Sequence, residues 1–142
     1  MKIPKPNYKK EKRLKKRLEK EADELFKQII LKNHRHLCEV CGGKWKITAH
    51  HYYYRSSASH LRYDLDNGIC LDAHCHFLLH NGRDPKIIED KIIAIRGQKW
   101  LNRLKKKAKN KPKFFKLDIS WYSEQIKKLK CQKQLKKVLL EC

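Results

Sequence analysis

No stretch of this 142-residue chain approaches the ~20 consecutive apolar residues that a membrane-spanning helix needs. The opening Met1-Lys2-Ile3-Pro4-Lys5 is basic, with no apolar run behind it of the kind that marks a secretory leader. No internal repeat is visible. Acidic side chains are scarce: 15 Asp+Glu stand against 36 Lys+Arg, a formal charge of +21 at pH 7. So large an excess repels itself in isolation and makes sense beside a polyanion. Nucleic acid is the leading partner, because each phosphate neutralised by Lys or Arg releases condensed counterions. The charge is spread along the chain rather than gathered in one tail, which argues against a solubility tail. The helical stretches also offer too few exposed large apolar residues for stable membrane insertion.

The length corresponds to one domain, a compact core with helical extensions. Residues 1–9 carry two prolines and several lysines and read as a disordered basic arm. Over residues 10–34, Leu14, Leu18, Ala22, Leu25, Phe26, Ile29 and Ile30 recur at steps of three and four, the pattern of an amphipathic helix whose other faces are basic. Its Leu25–Ile30 end suits docking on a core, and its basic half, with Lys12 and Lys16, suits a nucleic-acid backbone. Residues 35–84 are short, turn-rich and full of ligand-type side chains, and Asn81-Gly82 closes them. Residues 85–142 are helical in pattern and rich in lysine. Pro85 fits a first helical turn with Asp84 as N-cap. Ile87, Ile88, Ile92, Ile93 and Ile95 follow, Gly97 interrupts, and Trp100, Leu101 and Leu104 resume before the lysine run 105–113. Pro112 marks a break, and a last helix is expected from about Ser120 to Leu140, with Tyr122, Ile126 and Leu129 on one face. These helices could form a dimer or an intrachain core; the pattern fits both.

Six cysteines, with no leader-like apolar run expected at the start, suggest a reducing compartment, where Cys-x-x-Cys spacing favours metal over disulfide. Cys131 and Cys142 fall outside the cluster and read as ordinary thiols. Cys38-Glu39-Val40-Cys41-Gly42-Gly43 is a knuckle: two thiolates two residues apart chelate one tetrahedral ion, and the glycines let the backbone fold round it. Cys75 is the third ligand. The fourth is either Asp72, whose carboxylate oxygen can bind zinc, or Cys70, with Asp72 slightly favoured.

In Cys75-His76-Phe77-Leu78-Leu79-His80, two histidines four apart share one helical face, close enough to hold a common ion, while Phe77 and Leu78 are expected to point toward a core. Ala49-His50-His51-Tyr52-Tyr53-Tyr54 reads as a β-strand. Adjacent strand residues face opposite ways, so one histidine can join the metal, while the other meets it only if the strand twists or the ligand comes between them. A metal that holds a phosphate oxygen and the leaving 3′-oxygen, beside an imidazole that deprotonates water, suits phosphodiester cleavage; neutral histidine, of ordinary pKa ~6.5, accepts that proton near neutral pH. The competing reading makes the histidine pair a hydrogen-bonded sheet feature. Asp66-Asn67-Gly68 reads as a tight turn before the strand Ile69-Cys70-Leu71. Asn67 could also tie the strands together and fix the His51 ring.

Together these residues resemble the HNH, or ββα-metal (His-Me finger), endonucleases. The resemblance covers Cys38 to about His80, roughly a third of the chain. It implies an α+β, mostly helical protein: a small zinc-stapled ββα-metal unit flanked by basic amphipathic helices. By the family's order His50 matches the metal ligand and His51 the general base. Asn67 matches the asparagine that braces the loop between the strands. His76 matches the helix metal ligand, and His80 a further metal histidine of the bacteriocin-like branch. The departure is Asp72, where the family has cysteine. The resemblance implies one catalytic divalent ion, Mg²⁺ or Mn²⁺ with Ni²⁺ or Zn²⁺ as alternatives, a structural Zn²⁺, and DNA ends bearing 5′-phosphate and 3′-hydroxyl. Arg55 becomes the candidate for gripping the scissile phosphate, and the lysine-rich segments, Lys105 and Lys106 among them, would widen the DNA footprint.

Outside that unit the basic first helix, Leu61-Arg62-Tyr63-Asp64 and the Gly97 region more loosely resemble the NinG-type recombination proteins of lambda-like phages. That likeness implies duplex or branched DNA as the partner and the cytoplasm or nucleoid of a bacterial host as the location. The alternative function is a non-catalytic, zinc-containing accessory protein that only binds nucleic acid.

Overall fold

A computed structural model describes residues 7–141, and side chains through residue 135. It is mostly helical with one small sheet, an α+β fold. Helix α1 spans Tyr8–Asn33, strand β1 Thr48–His51, strand β2 Gly68–Leu71 and helix α2 Ala73–Asn81. Helices α3 (Lys86–Arg96), α4 (Gln98–Lys109) and α5 (Ile119–Glu141) complete the chain. Residues 1–6 of the expected arm lie outside the described residues, whereas Tyr8 and Lys9 already belong to α1. No helix among the described residues is long and apolar enough to cross a membrane.

The described residues form two compact units, 26–115 and 7–25 with 116–141. In the second of these, Ala22 from α1 and Tyr122, Ile126 and Leu129 from α5 are buried, at the helical spacing the sequence displays. Lys130 on α5 reaches Glu21 on α1 at 2.7 Å. Lys12 and Lys16 are exposed on α1.

Residues 26–115 fold around the antiparallel β1–β2 pair, with Thr48 opposite Leu71, Ala49 opposite Cys70, His50 opposite Ile69 and His51 opposite Gly68. All four positions of β2 are buried, so its side chains meet protein on both faces. Ile69 and Leu71 join Leu79 of α2, Ile88 and Ile92 of α3, and Trp100, Leu101 and Leu104 of α4 in one apolar core. Burying side chains of this size removes about 1.5–3 kcal/mol of hydration penalty each.

β1 ends sooner than its aromatic run suggests, because Tyr52-Tyr53-Tyr54 leave the ladder. Tyr52 still donates its N–H to the Asn67 carbonyl at 2.9 Å. At Tyr53 the Asn67 side chain takes over: its Oδ1 accepts the Tyr53 N–H at 2.8 Å and its Nδ2 donates to the Tyr53 carbonyl at 3.1 Å. The same Nδ2 donates to the Leu61 carbonyl at 3.2 Å. A fully buried carboxamide thus meets its hydrogen-bonding needs while pinning both ends of the loop between the strands.

α3 and α4 meet at Gly97, whose φ of 88° is open to glycine and costly for other residues. The turn lets α4 pack Trp100, Leu101 and Leu104 inward. The cap of α3 falls one residue later than expected: Pro85 holds the capping position, and the Asp84 carboxylate accepts the Lys86 N–H at 3.2 Å.

One tie between distant elements had no sequence signal. Arg96, at the end of α3, forms two hydrogen bonds with the buried Glu39 carboxylate, at 2.8 and 2.7 Å. It also donates to the carbonyls of Gly68 at 2.7 Å and Asp66 at 3.2 Å. Glu39 in turn accepts the Cys70 N–H at 2.8 Å. The knuckle, β2 and α3 are clamped by one guanidinium, whose planar fork suits a bidentate carboxylate.

Candidate metal centres

Two groups of ligand-type side chains converge on α2, one at its start and one along its length. The first joins Cys38, Cys41, Asp72 and Cys75, whose ligand atoms lie within 4.8 Å of one another and could hold a metal ion. The knuckle loop supplies Cys38 and Cys41: Gly42 donates its N–H to the Cys38 carbonyl at 2.9 Å, and the Cys38 N–H goes to Gly43. A Cβ at Gly43 would run into the Asp72 carboxylate, so only glycine lets the knuckle close on that side chain.

Asp72 does two things at once. Its Oδ1 accepts the Cys75 N–H at 2.8 Å, capping α2, and its Oδ2 meets the Cys41 thiol at 3.2 Å. Burial alone would raise its pKa; hydrogen bonds from the Cys75 N–H and from the Cys41 and Cys75 thiols outweigh that and hold it low. Burial pushes the Cys75 thiol up, and the neighbouring Cys41 and Cys38 add to this. A cation among them reverses that preference by favouring thiolate, which is how such a donor set couples metal binding to folding. Cys70, the rival fourth ligand, is outside the group. Its thiol is fully buried in β2 and is pushed up to about 12, by burial first and then by Glu39 and Cys38.

The second group joins His50, His76 and His80, again with ligand atoms within 4.8 Å of one another. The ring centroids stand 5.2 Å apart for His50–His76, 5.0 Å for His50–His80 and 4.7 Å for His76–His80. β1 aims His50 toward α2, and the four-residue step on α2 stacks His76 and His80 on one face. The His50 pKa is driven down to about 3, by burial first and then by His76, His80 and His51. His76 is lowered too, by burial and then by His80. His50 and His76 are therefore favoured as neutral rings, the form in which imidazole binds a metal. The donor set fits a divalent ion, and nitrogen ligands admit several.

His51 follows His50 in the strand and faces the other way. Its ring lies flat on Phe26 of α1, centroids 4.9 Å apart at an interplanar angle of 3°. Its Nε2 sits 2.7 Å from the Arg62 carbonyl. A carbonyl only accepts, so Nε2 carries the ring hydrogen and Nδ1 is the basic nitrogen of the neutral imidazole. The ring orientation is set by Phe26 and Arg62, whereas Asn67, expected to fix it, bonds to Tyr53 and Leu61 and braces the loop. No sequence motif marks Phe26 or the Arg62 carbonyl as a partner of His51.

Arg55 is exposed in the loop after β1, and Tyr54 beside it brings its ring to 5.8 Å from both His50 and His80. Phe77, expected to turn toward the core, does not: it stays 58% exposed while Leu79 is buried. Lys105 and Lys106 are exposed and, with Asn102, Lys109 and Asn110, line an open groove of about 380 Å³ on α4. Lys107 in the same run is committed to the protein, 2.8 Å from both Asp64 and Asp66. Cys131 is an exposed free thiol, and Cys142 lies outside the described residues.

No family model matches the chain, nor does any curated protein or solved structure.

Proposed function

We propose that this protein is a metal-dependent endonuclease of the HNH type, hydrolysing DNA phosphodiester bonds to leave 5′-phosphate and 3′-hydroxyl ends. The observation that carries the reading is the three-imidazole group His50–His76–His80 with a fourth imidazole, His51, next in the chain and held in a defined tautomer. A protein that only binds nucleic acid could do without such a set, whereas phosphodiester hydrolysis needs both a metal and a base.

A divalent ion held by His50, His76 and His80 would supply Lewis-acid stabilisation of charge on the phosphate and on the departing 3′-oxygen. His51 acts as general base through Nδ1. It takes a proton from the water whose oxygen bonds to phosphorus as the bond from phosphorus to the 3′-oxygen breaks, and solvent protonates the leaving oxygen. The Arg62 carbonyl keeps Nε2 protonated and favours the imidazolium that forms. Asn67 holds the loop on which Arg55 reaches a phosphate, and the Cys38–Cys41–Asp72–Cys75 group would hold a structural zinc tying the knuckle to the start of α2. Lys12, Lys16, Lys105 and Lys106 supply further backbone contacts. The looser NinG-type resemblance extends the proposal to branched recombination intermediates.

The test is cleavage of supercoiled plasmid, then of branched DNA, by purified protein with Mg²⁺ or Mn²⁺. Metal-dependent nicking that His51→Ala removes while DNA affinity persists is the expected result. Wild-type protein that binds but cuts none of these substrates would instead be a zinc-stapled accessory protein.

A further inference from the structure

Phe77 lies on α2 between His76 and His80, and its ring is 58% exposed. The neighbouring leucines on this helix do otherwise: Leu79 is buried and Leu78 packs against the core. An isolated exposed aromatic is ordinary on a protein surface. This one is placed differently, because its helix also carries two of the three clustered imidazoles. On an α-helix, residue 77 stands three positions before His80, so both project from adjoining parts of one surface. Tyr54, itself 45% exposed, borders the same imidazoles from the loop after β1. The rim of the histidine group therefore presents two aromatic rings in a chain of net charge +21.

A ring in this position has nothing to stack on in a fully paired duplex, where each base face is covered by its neighbours. An unpaired base offers a free π-face, and the chain's positive charge draws in the strand that carries it. We propose that Phe77 is a stacking platform for an unpaired base next to the phosphate that the site engages, giving the protein a preference for DNA with a bulge, gap or junction. The proposal rests on the nuclease reading for the placement of that phosphate. Phe77 is a specificity residue here; it takes no part in the proton transfer.

The test uses the full-length protein without added divalent ion and a DNA duplex carrying one unpaired 2-aminopurine, with the matched duplex as control. Wild-type protein is expected to alter the 2-aminopurine fluorescence and to bind the bulged duplex about ten-fold tighter than the matched one, the size of effect one base–aromatic stack supports. Phe77→Ala should bring both duplexes to the same affinity, Phe77→Trp should restore the preference, and Phe77→Leu, apolar but without a π-face, should not. Equal wild-type affinity for the two duplexes would overturn the proposal, as would a preference that survives Phe77→Ala. So would a Phe77→Ala protein whose oligomeric state falls while its preference stays, since the ring would then cover a second copy. Plasmid cleavage separates the two readings: a Phe77-dependent preference in a protein that never cuts removes only the nuclease, and cutting without the preference removes only the platform.

Discussion

The His51 imidazole is held between the Phe26 ring, parallel to it at 4.9 Å, and the Arg62 carbonyl, 2.7 Å from Nε2. Stacking fixes the plane of the ring and the carbonyl fixes its rotation, which leaves Nδ1 as the basic nitrogen of the neutral imidazole. Replacing His51 with Ala is expected to lower cleavage about 10²–10⁴-fold, the usual worth of a general base, and to leave DNA affinity near wild type. Plasmid nicking rates set beside gel-shift affinities check this. A parallel loss of binding would mean the ring holds DNA and does not activate water.

Asp72 divides its two oxygens between a helix cap and the cysteine group, so two substitutions should separate the roles. Asp72→Asn keeps an acceptor for the Cys75 N–H and loses the negative charge beside the cysteines; Asp72→Ala loses both. Both should bind zinc more weakly than wild type in chelator competition. At saturating zinc, Asp72→Ala should be less stable than Asp72→Asn by about 1 kcal/mol, the value of a cap.

The Arg96–Glu39 pair is largely buried, with side-chain exposures of 13% and 5%. Arg96→Met leaves the Glu39 charge without its main partner in the interior and should cost about 3–5 kcal/mol in urea unfolding. Adding Glu39→Leu should recover only part of this, since the Cys70 N–H then loses its acceptor. Arg103→Ala is the control. Its pair with Asp66 is 54% and 34% exposed, and solvent screening leaves such a pair little effect on stability.

Asp66 supplies a pH signature. Burial alone would raise its carboxyl pKa, but hydrogen bonds from Arg103 and Lys107 outweigh this and hold it below its ordinary 3.8. A carboxyl depressed in the folded state contributes stability that is full above 3.8 and is lost as pH falls through the lower folded value. The difference in urea midpoint between wild type and Asp66→Asn should therefore be present at neutral pH and disappear in strong acid. A difference that grows on acidification would reverse the assignment.

Neighbouring lysines on α4 should behave in opposite ways. Lys105 and Lys106 are exposed, so replacing either with Ala should reduce the slope of log affinity against log salt by about 0.9 for each phosphate that is no longer neutralised. Lys107 is tied to Asp64 and Asp66, and Lys107→Ala should lower stability while leaving that slope unchanged. DNA titrations over a range of salt concentrations distinguish them.

Much of this protein follows from short-range geometry that a sequence carries on its face. Steps of three and four set the buried stripes of α1 and α5, where Phe26, Ile30, Tyr122 and Leu129 lie inward. Two residues between Cys38 and Cys41, and four positions from His76 to His80, are local spacings that bring ligand atoms together wherever the chain folds. What the tertiary structure decided depends on which elements meet. Glu39 and Arg96, 57 residues apart, find each other only when the knuckle packs beside α3. Asn67 serves Tyr53 because the strands part there, and His51 takes its partners from α1 and the loop because the alternation of β1 turns it away from His50. Phe77 stays outside since Leu78 and Leu79 already occupy the inward face of α2, and a nine-residue helix has room for only one such face.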